Sequence, residues 1–240
     1  MRDSILRTAG LTKHFDGVVA TSDVDISVPR GELRCIIGPN GAGKSTLFSL
    51  LCGIHRPDAG RVLLKGEDVT DLLAFQRVRR GIGLTFQTNR AFHRLSVRQN
   101  LSAVLQIWRA DRPSDASDRY RFALDRFGLD PDSEIPAKEL PHHQLQWLEI
   151  AMVLAAGPDI ILLDEPTAGM SIEETLQTGA VLKHLNSSGL TIVVVEHDVA
   201  FVRNVAQRIT VMHQGRVFAE GTVDEIAEHA DVRRIYLGKA

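Results

Sequence analysis

The chain contains very little cysteine. Only two of its 240 residues are cysteines, Cys35 and Cys52, and each lies within an apolar run. Two such residues provide no disulfide framework of the kind found in small secreted domains, and they lack the paired spacing of a zinc site. The composition therefore indicates a protein of a reducing compartment.

Long hydrophobic runs are also missing. No segment approaches the roughly 18 consecutive apolar residues of a membrane-spanning helix. The N-terminal sequence MRDSILRTAG lacks the apolar centre of a secretory signal. We therefore expect a cytoplasmic chain, which leaves binding to a membrane protein open.

An excess of charge of one sign is absent as well. The net charge is −2 and the sequence pI is about 6.5, which disfavours a general nucleic-acid binder. Hydrophobic residues make up 44% and charged residues 24%, as in folded soluble proteins. A chain of this length fits one large domain, or one domain with a small inserted subdomain.

What is present is an α/β pattern. Short apolar runs at Leu33–Ile37, 160–163 and 191–195 predict buried parallel strands with helices between them. Residues 5–26 and 209–219 alternate more and contain turn pairs, which predicts antiparallel strands. Residues 88–156 hold four prolines among helical stretches, so we expect one domain, 1–240, with a core of 1–87 and 157–240 and an inserted helical subdomain, 88–156.

The strongest motif is GPNGAGKST, which lies between the strand at Leu33–Ile37 and an apolar helix. It fits a phosphate-binding loop, whose glycines let backbone N–H groups point at phosphate oxygens at a helix N-terminus. Lys44 would reach the β- and γ-phosphates and Ser45 would ligate Mg²⁺. The alternative is a chance glycine-rich turn. The predicted nucleotide-binding residues are Gly38, Pro39, Asn40, Gly41, Ala42, Gly43, Lys44, Ser45 and Thr46.

Polar residues follow two further predicted strands. In IILLDEPT, Asp164 would hold Mg²⁺ and Glu165 would be the general base for an attacking water. In VVVEHD, His197 could reach a γ-phosphate. Gln87, in LTFQTN, is a weaker candidate. Taken singly, each has an ordinary explanation: surface carboxylates beside a turn, a structural histidine, a solvated glutamine.

Together these segments resemble the ATP-binding subunit of ABC transporters, over essentially the whole chain. Gly38 to Thr46 looks like the Walker A loop and residues 160–165 like Walker B with its catalytic glutamate. The resemblance implies a P-loop NTPase core with a mainly parallel sheet, an antiparallel β subdomain and an inserted helical subdomain, with ATP and Mg²⁺ as cofactors. It places Gln87 at the Q-loop as a catalytic and metal residue, His197 at the switch histidine, and Phe15 against adenine; core packing is the alternative for Phe15.

Within that family, QWLEIAM, EPTAGMS and RRIYLG resemble the branched-chain amino acid and urea uptake branch, and QWLEI leans toward the urea-type subunit. The resemblance implies a subunit peripheral on the inner face of the membrane that drives separate permease chains. It also implies a second ATPase subunit, with a heterodimer favoured and a homodimer open, an indirect role for a binding protein, and no nucleic acid. The contact with the permease is expected near Gln87 and residues 89–97.

Residues 140–144, here called the signature segment, depart from the family. The family has Leu-Ser-Gly-Gly-Gln, whose serine hydroxyl and glycine N–H groups bond the ATP of a partner subunit; this chain has Leu-Pro-His-His-Gln. Pro141 removes a hydroxyl and an N–H, and His143 adds bulk, so we expect the segment to serve the partner's ATP poorly. The alternative is that Pro141 is simply a good first helical residue and that the histidines supply new donors.

Residues 167–171, here called the post-strand loop, also depart from the family pattern, because the family's aspartate is missing.

The sequence leaves three function classes. The first is an ATPase subunit that drives an importer. The second is a dimerising regulatory module with weak hydrolysis. The third, an ATPase acting on DNA or ribosomes, is disfavoured because the chain lacks the coiled-coil or tandem additions that such proteins usually carry.

Overall fold

The computed structural model describes residues 4–86, 89–107 and 116–237. In chain order the strands are β1 (Ser4–Phe15), β2 (Val18–Val24), β3 (Ser27–Pro29), β4 (Leu33–Ile37), β5 (Ala59–Leu64), β6 (Glu67–Asp68), β7 (Ile82–Leu84), β8 (Ile160–Asp164), β9 (Thr191–Val195), β10 (Arg208–His213) and β11 (Arg216–Gly221). The helices are α1 (Lys44–Cys52), α2 (Ala74–Val78), α3 (Val97–Ile107), α4 (Ala116–Phe127), α5 (His142–Ala155), α6 (Ile172–Ser187), α7 (Val199–Val205), α8 (Val223–Glu228) and α9 (Ala230–Leu237), with a 3-10 turn at Ala137–Glu139.

A six-stranded sheet forms the centre of the molecule, in the order β11-β10-β4-β9-β8-β7. All neighbours are parallel except the β10–β11 hairpin at one edge. Because parallel strands share their direction, the carboxyl ends of β4, β8 and β9 meet at one edge, where open α/β sheets bind ligands.

Both faces of this sheet are covered. In β4, for example, Leu33 and Cys35 face one hydrophobic cluster while Ile36 faces the other. The first cluster includes the helices α3 to α7, and the second joins α1 to the antiparallel sheet. The prediction of buried parallel strands is confirmed. Their sequences are continuously apolar because a strand that is buried on two faces has no polar side.

A second sheet is antiparallel, in the order β2-β1-β5-β6, with β3 also paired to β1. The hairpin β1–β2 turns at Asp16 and Gly17, both at positive φ, as the sequence predicts. At the other end of the chain β10 pairs antiparallel with β11 but parallel with β4. The expectation of antiparallel strands there is therefore right for one side of β10 only.

The described part of the chain from 89 to 156 contains α3, α4 and α5 and no strand, apart from an isolated bridge between Ser96 and Pro136. These helices share one hydrophobic cluster with the sheet, so the segment packs directly on the core. Within the described ranges, no helix has the length and apolar character needed to cross a bilayer.

Candidate functional site

The loop between β4 and α1 is shaped by close backbone approaches. A Cβ added to Gly38 would lie 2.3 Å from the Met212 carbonyl oxygen, and one added to Gly43 would lie 2.3 Å from that of Ala20. Gly43 also has φ +95 and precedes the first residue of α1. These positions accept only glycine, since any side chain would displace the neighbouring backbone. The loop is thereby fixed with the N-terminus of α1 at its centre.

Lys44 is the first residue of α1 and its ammonium is turned back into the loop. The Nζ atom donates to the carbonyl oxygens of Gly38, at 2.7 Å, and Pro39, at 3.2 Å. Burial lowers the pKa of Lys44, and the negative charges of Glu165 and Asp164 oppose that change. A buried cation in a glycine-rich loop at a helix N-terminus is a setting that favours an anion such as a phosphate.

Two carboxylates lie at the carboxyl end of β8. Burial raises the pKa of Asp164 to about 6, and the charges of Glu165 and Glu196 add to the rise while Lys44 opposes it. Glu165 has a left-handed backbone, with φ +47, and its N–H donates to the carbonyl of Val195. Such a conformation costs about 1–3 kcal/mol in a non-glycine residue and is concentrated at functional sites.

The end of β9 supplies a histidine and a buried carboxylate. His197 is 62% exposed, and its Nδ1 lies 3.4 Å from Glu165 Oε1 and 3.7 Å from Glu196 Oε2. Glu196 is buried and accepts hydrogen bonds from the Thr167 hydroxyl, at 2.6 Å, and from the His197 N–H, at 2.9 Å. Glu196 therefore joins the end of β9 to the post-strand loop.

Phe15 ends β1 on the hairpin whose second strand contacts the phosphate loop at Ala20. Its ring is 39% exposed and packs edge-on against His55, with Lys13 Nζ 5.5 Å from the ring centre. This exposure argues against the alternative of ordinary core packing. An exposed ring beside the loop can stack on a flat base.

The residues present fit a magnesium nucleotide better than a free metal ion. Within the described ranges no group of three His, Cys, Asp or Glu side chains could enclose a metal by itself. The Ser45 hydroxyl and the Asp164 carboxylate are hard oxygen donors, and Mg²⁺ is typically held by one or two such groups together with substrate phosphates. The glycine-lined loop and the buried Lys44 provide for those phosphates.

Comparison with known proteins identifies the family. The family model described as "ABC transporter" matches residues 21–168. The chain belongs to the ABC transporter ATP-binding family. It is an ABC ATPase, and the expected P-loop fold with two sheets and packed helices is confirmed.

Curated relatives of this ABC ATPase have different substrates in their names. The lipopolysaccharide export system ATP-binding protein LptB of Escherichia coli (strain K12) is 36% identical over 98% of this chain and 97% of that protein. The high-affinity branched-chain amino acid transport ATP-binding protein LivG of the same organism is 34% identical over the full length of both.

Solved structures agree with the fold. The ADP conformation of an ATP-binding cassette of an ABC transporter covers 98% of this chain and 99% of that chain, at 29% identity and a TM-score of 0.85. A dimeric post-hydrolysis state of another cassette, bound to ADP and Pi, covers 91% and 98% at 27% identity and a TM-score of 0.77.

The structure brings most of the predicted residues of this ABC ATPase to one edge of the sheet. Gln87 lies outside the described residues; its described neighbours Phe86 and Asn89 lie between β7 and α3. The remaining predicted residues are found in or beside the loop and at the ends of β1, β8 and β9: Phe15, Gly38, Pro39, Asn40, Gly41, Ala42, Gly43, Lys44, Ser45, Thr46, Asp164, Glu165 and His197.

The prediction that Pro141 is the first helical residue is wrong by one position. Pro141 is the N-cap of α5, with ψ 153, and its carbonyl accepts the first helical hydrogen bond, from the Leu145 N–H. The ring fixes φ but leaves ψ extended, so the helix begins at His142. Within α5, Leu148 and Ala155 lie in the hydrophobic core, and Leu145 and Met152 pack against it.

Sequence reasoning missed two buried carboxylates. Glu196 directly follows an apolar strand, which is the same signal that selected Asp164, so it could have been found. Glu149 lies within α5 and is 6% exposed; burial raises its pKa to about 7, against backbone hydrogen bonds from Phe86 and Arg90 and the charge of Arg90. The hydrogen-bond partners of Glu149 lie about sixty positions earlier in the chain, and no local sequence pattern reveals them.

Proposed function

We propose that the chain is the ATP-hydrolysing subunit of a membrane importer, acting with a second ATPase subunit on separate permease chains. The observation that carries this proposal is the convergence of Lys44, Asp164 and Glu165 at one sheet edge. The full-length match to the branched-chain amino acid transport ATP-binding protein LivG supports a role in transport. In this role the chain would be cytoplasmic and peripheral on the inner face of the membrane.

The chemistry of the site divides among the residues of this chain. Backbone N–H groups of the phosphate loop and the Lys44 ammonium bind the β- and γ-phosphates. Glu165 accepts a proton from the attacking water, and His197, whose Nδ1 lies 3.4 Å from Glu165 Oε1, would donate an imidazole N–H to the γ-phosphate. The Ser45 hydroxyl, Asp164 and Gln87 would hold Mg²⁺, which when bound neutralises phosphate charge. Phe15 would stack on adenine.

A cavity lined in part by Phe86 and Arg90 suits a permease segment. Its volume is about 720 Å³, and it lies between α2, β7 and α5. Phe75, 57% exposed, and the aliphatic Val78 and Met152 form apolar walls, while Arg79 and Arg90 add positive charge. An apolar groove with a charged border is a common way to receive a helix of a partner. This placement matches the expected contact near residues 89–97, because Arg90 belongs to both.

Branched-chain amino acids or urea are the proposed cargo, and lipopolysaccharide export is the second candidate because LptB is 36% identical. The test uses the chain co-purified with its permease partners and reconstituted in vesicles. If import is right, ATPase activity rises when binding protein and leucine, or binding protein and urea, are added on the outer side. A rise with lipopolysaccharide alone would replace import by export.

A dimerising regulatory module with weak hydrolysis is the competing proposal, and the altered signature segment favours it. It predicts that ATP drives dimerisation while turnover stays slow, even in the complete complex. Measuring dimer mass with ATP and the rate of phosphate release in parallel separates the two. The same mass measurement decides between a homodimer and a heterodimer.

A further inference from the structure

The first of the two unusual histidines of the signature segment contacts the chain's own post-strand loop. His142 Nε2 lies 3.1 Å from the carbonyl oxygen of Ala168. The same ring covers Gly169, where an added Cβ would lie 3.4 Å from His142 Cδ2 and Nε2. Because a carbonyl oxygen can only accept, His142 Nε2 carries the proton in this contact.

His143 points to the next element instead. Its Nδ1 lies 2.7 Å from Glu174 Oε1, and the two side chains are 25% and 27% exposed. Glu174 also accepts a hydrogen bond from the Ser171 N–H, and the Ser171 hydroxyl accepts one from the Glu174 N–H. Glu174 is thus shared between the cap of α6 and His143, so the start of α5 is joined to the start of α6.

Aromatic packing extends the same connection below the surface. His143 lies edge-on to Trp147, with ring centres 4.8 Å apart, and the Trp147 indole stacks on Phe127. The indole N–H donates to the Thr178 hydroxyl, one turn after Glu174 on α6. The first turns of α5 and α6 are therefore linked both at the surface and in the core.

These contacts limit what the imidazoles can do for a partner's ATP. A neutral imidazole has one N–H donor. In both rings that donor is directed at this chain, to the Ala168 carbonyl and to the Glu174 carboxylate. Neither neutral ring then has a donor left to replace the missing serine hydroxyl or glycine N–H groups.

We propose that His142 and His143 are positioning residues that fix the post-strand loop to the start of α5, so that the two departures from the family form one preassembled surface facing the second subunit. This inference rests on the proposed function, because the surface matters for turnover only if a partner's ATP is bound against it. The histidines act through the residues they hold and need not touch the nucleotide.

The test compares steady-state ATP hydrolysis by the chain in its complete complex for H142A, H143A, E174Q and the double variant H143A/E174Q. Glutamine at 174 can still take part in the cap with Ser171, so E174Q removes mainly the charge. We expect H143A and E174Q each to lower kcat about three- to thirtyfold, with KM little changed. Because the residues act as a pair, the double variant should be no slower than the slower single variant.

The matched control is H184A. His184 lies in the last turn of α6 and stacks on Phe122, so its loss affects stability without altering the surface at the start of that helix. MgATP affinity measured on each purified variant reports on the chain's own phosphate loop and should equal the wild-type value.

Two results would overturn the inference. It is wrong if H142A and H143A lower kcat no more than H184A does. Additive losses in the double variant would show that His143 and Glu174 do not act together. If the wild-type complex binds no MgATP, the proposed function fails first, and this outcome is distinct because every variant is then inactive.

Discussion

Two helix starts in this molecule are held in place in different ways. α1 begins after Gly43 and α5 after Pro141, and neither start has a side-chain cap. At α1 the loop is fixed by backbone approaches and a buried lysine, whereas at α5 the first turn is held by two imidazoles that reach Ala168 and Glu174. The first arrangement leaves a local glycine pattern in the sequence, and its glycines tolerate almost no change because the backbone of Ala20 and Met212 lies against them. The second depends on Ala168 and Glu174 and leaves no local pattern in the sequence.

The sharpest test of the phosphate site, which includes the start of α1, is to remove the proposed general base, Glu165. We expect Glu165→Gln to retain MgATP binding and to slow hydrolysis by about 10²–10⁴, the usual contribution of a general base. The physical reason is that an amide cannot accept the proton of the attacking water. Single-turnover hydrolysis and nucleotide titration are measured on the same preparation. Turnover within tenfold of wild type would remove Glu165 from this role.

The next largest effect should come from the loop's cation. Lys44→Ala removes the ammonium that now donates to Gly38 and Pro39, and a charged hydrogen bond contributes about 1.5–3 kcal/mol. We expect MgATP affinity to fall beyond what a titration to millimolar nucleotide detects. Lys183→Ala, at an exposed cation on α6, is the control and should bind normally. Unchanged affinity in Lys44→Ala would contradict the phosphate-loop assignment.

The same contrast explains what the sequence could predict. The strands β4, β8 and β9 and the loop before α1 were predictable because burial and glycine geometry leave a local pattern. Side chains and strands far away in the chain determine the bounds of α5, the one-sided pairing of β10 and the burial of Glu149. The histidine contacts belong to this second kind, since nothing near residue 142 indicates Ala168 or Glu174.

A smaller effect is expected at the contact between the post-strand loop and the end of β9. Thr167→Val removes the hydroxyl that donates to the buried Glu196 at 2.6 Å and leaves that carboxylate with one donor fewer. The free energy of unfolding should fall by about 1–3 kcal/mol. Thr175→Val, the same change at a half-buried site on α6, should shift it by less than about 0.5 kcal/mol. Equal effects at both positions would mean that the Glu196 contact adds nothing to stability.

An effect of similar size is the pH dependence of stability that Glu149 of α5 contributes. Burial raises the pKa of Glu149 from 4.5 to about 7, so between these values the folded chain binds a proton that the unfolded chain has released. The contribution of Glu149 to stability is therefore most favourable below pH 4.5 and is lost as the pH rises toward 7. Glu149→Gln does not titrate and should lack this loss.

We accordingly expect the stability of Glu149→Gln relative to wild type to increase by roughly 1–3 kcal/mol from about pH 5 to about pH 8. Denaturant unfolding at several pH values measures it. Glu173→Gln, at an exposed position on α6, is the control and should show no such trend. A constant difference between Glu149→Gln and wild type across this range would mean that Glu149 is already ionised in the folded chain. In that case the hydrogen bonds from Phe86 and Arg90 outweigh burial, and α5 is joined to Phe86 and Arg90 by a charged contact across this pH range.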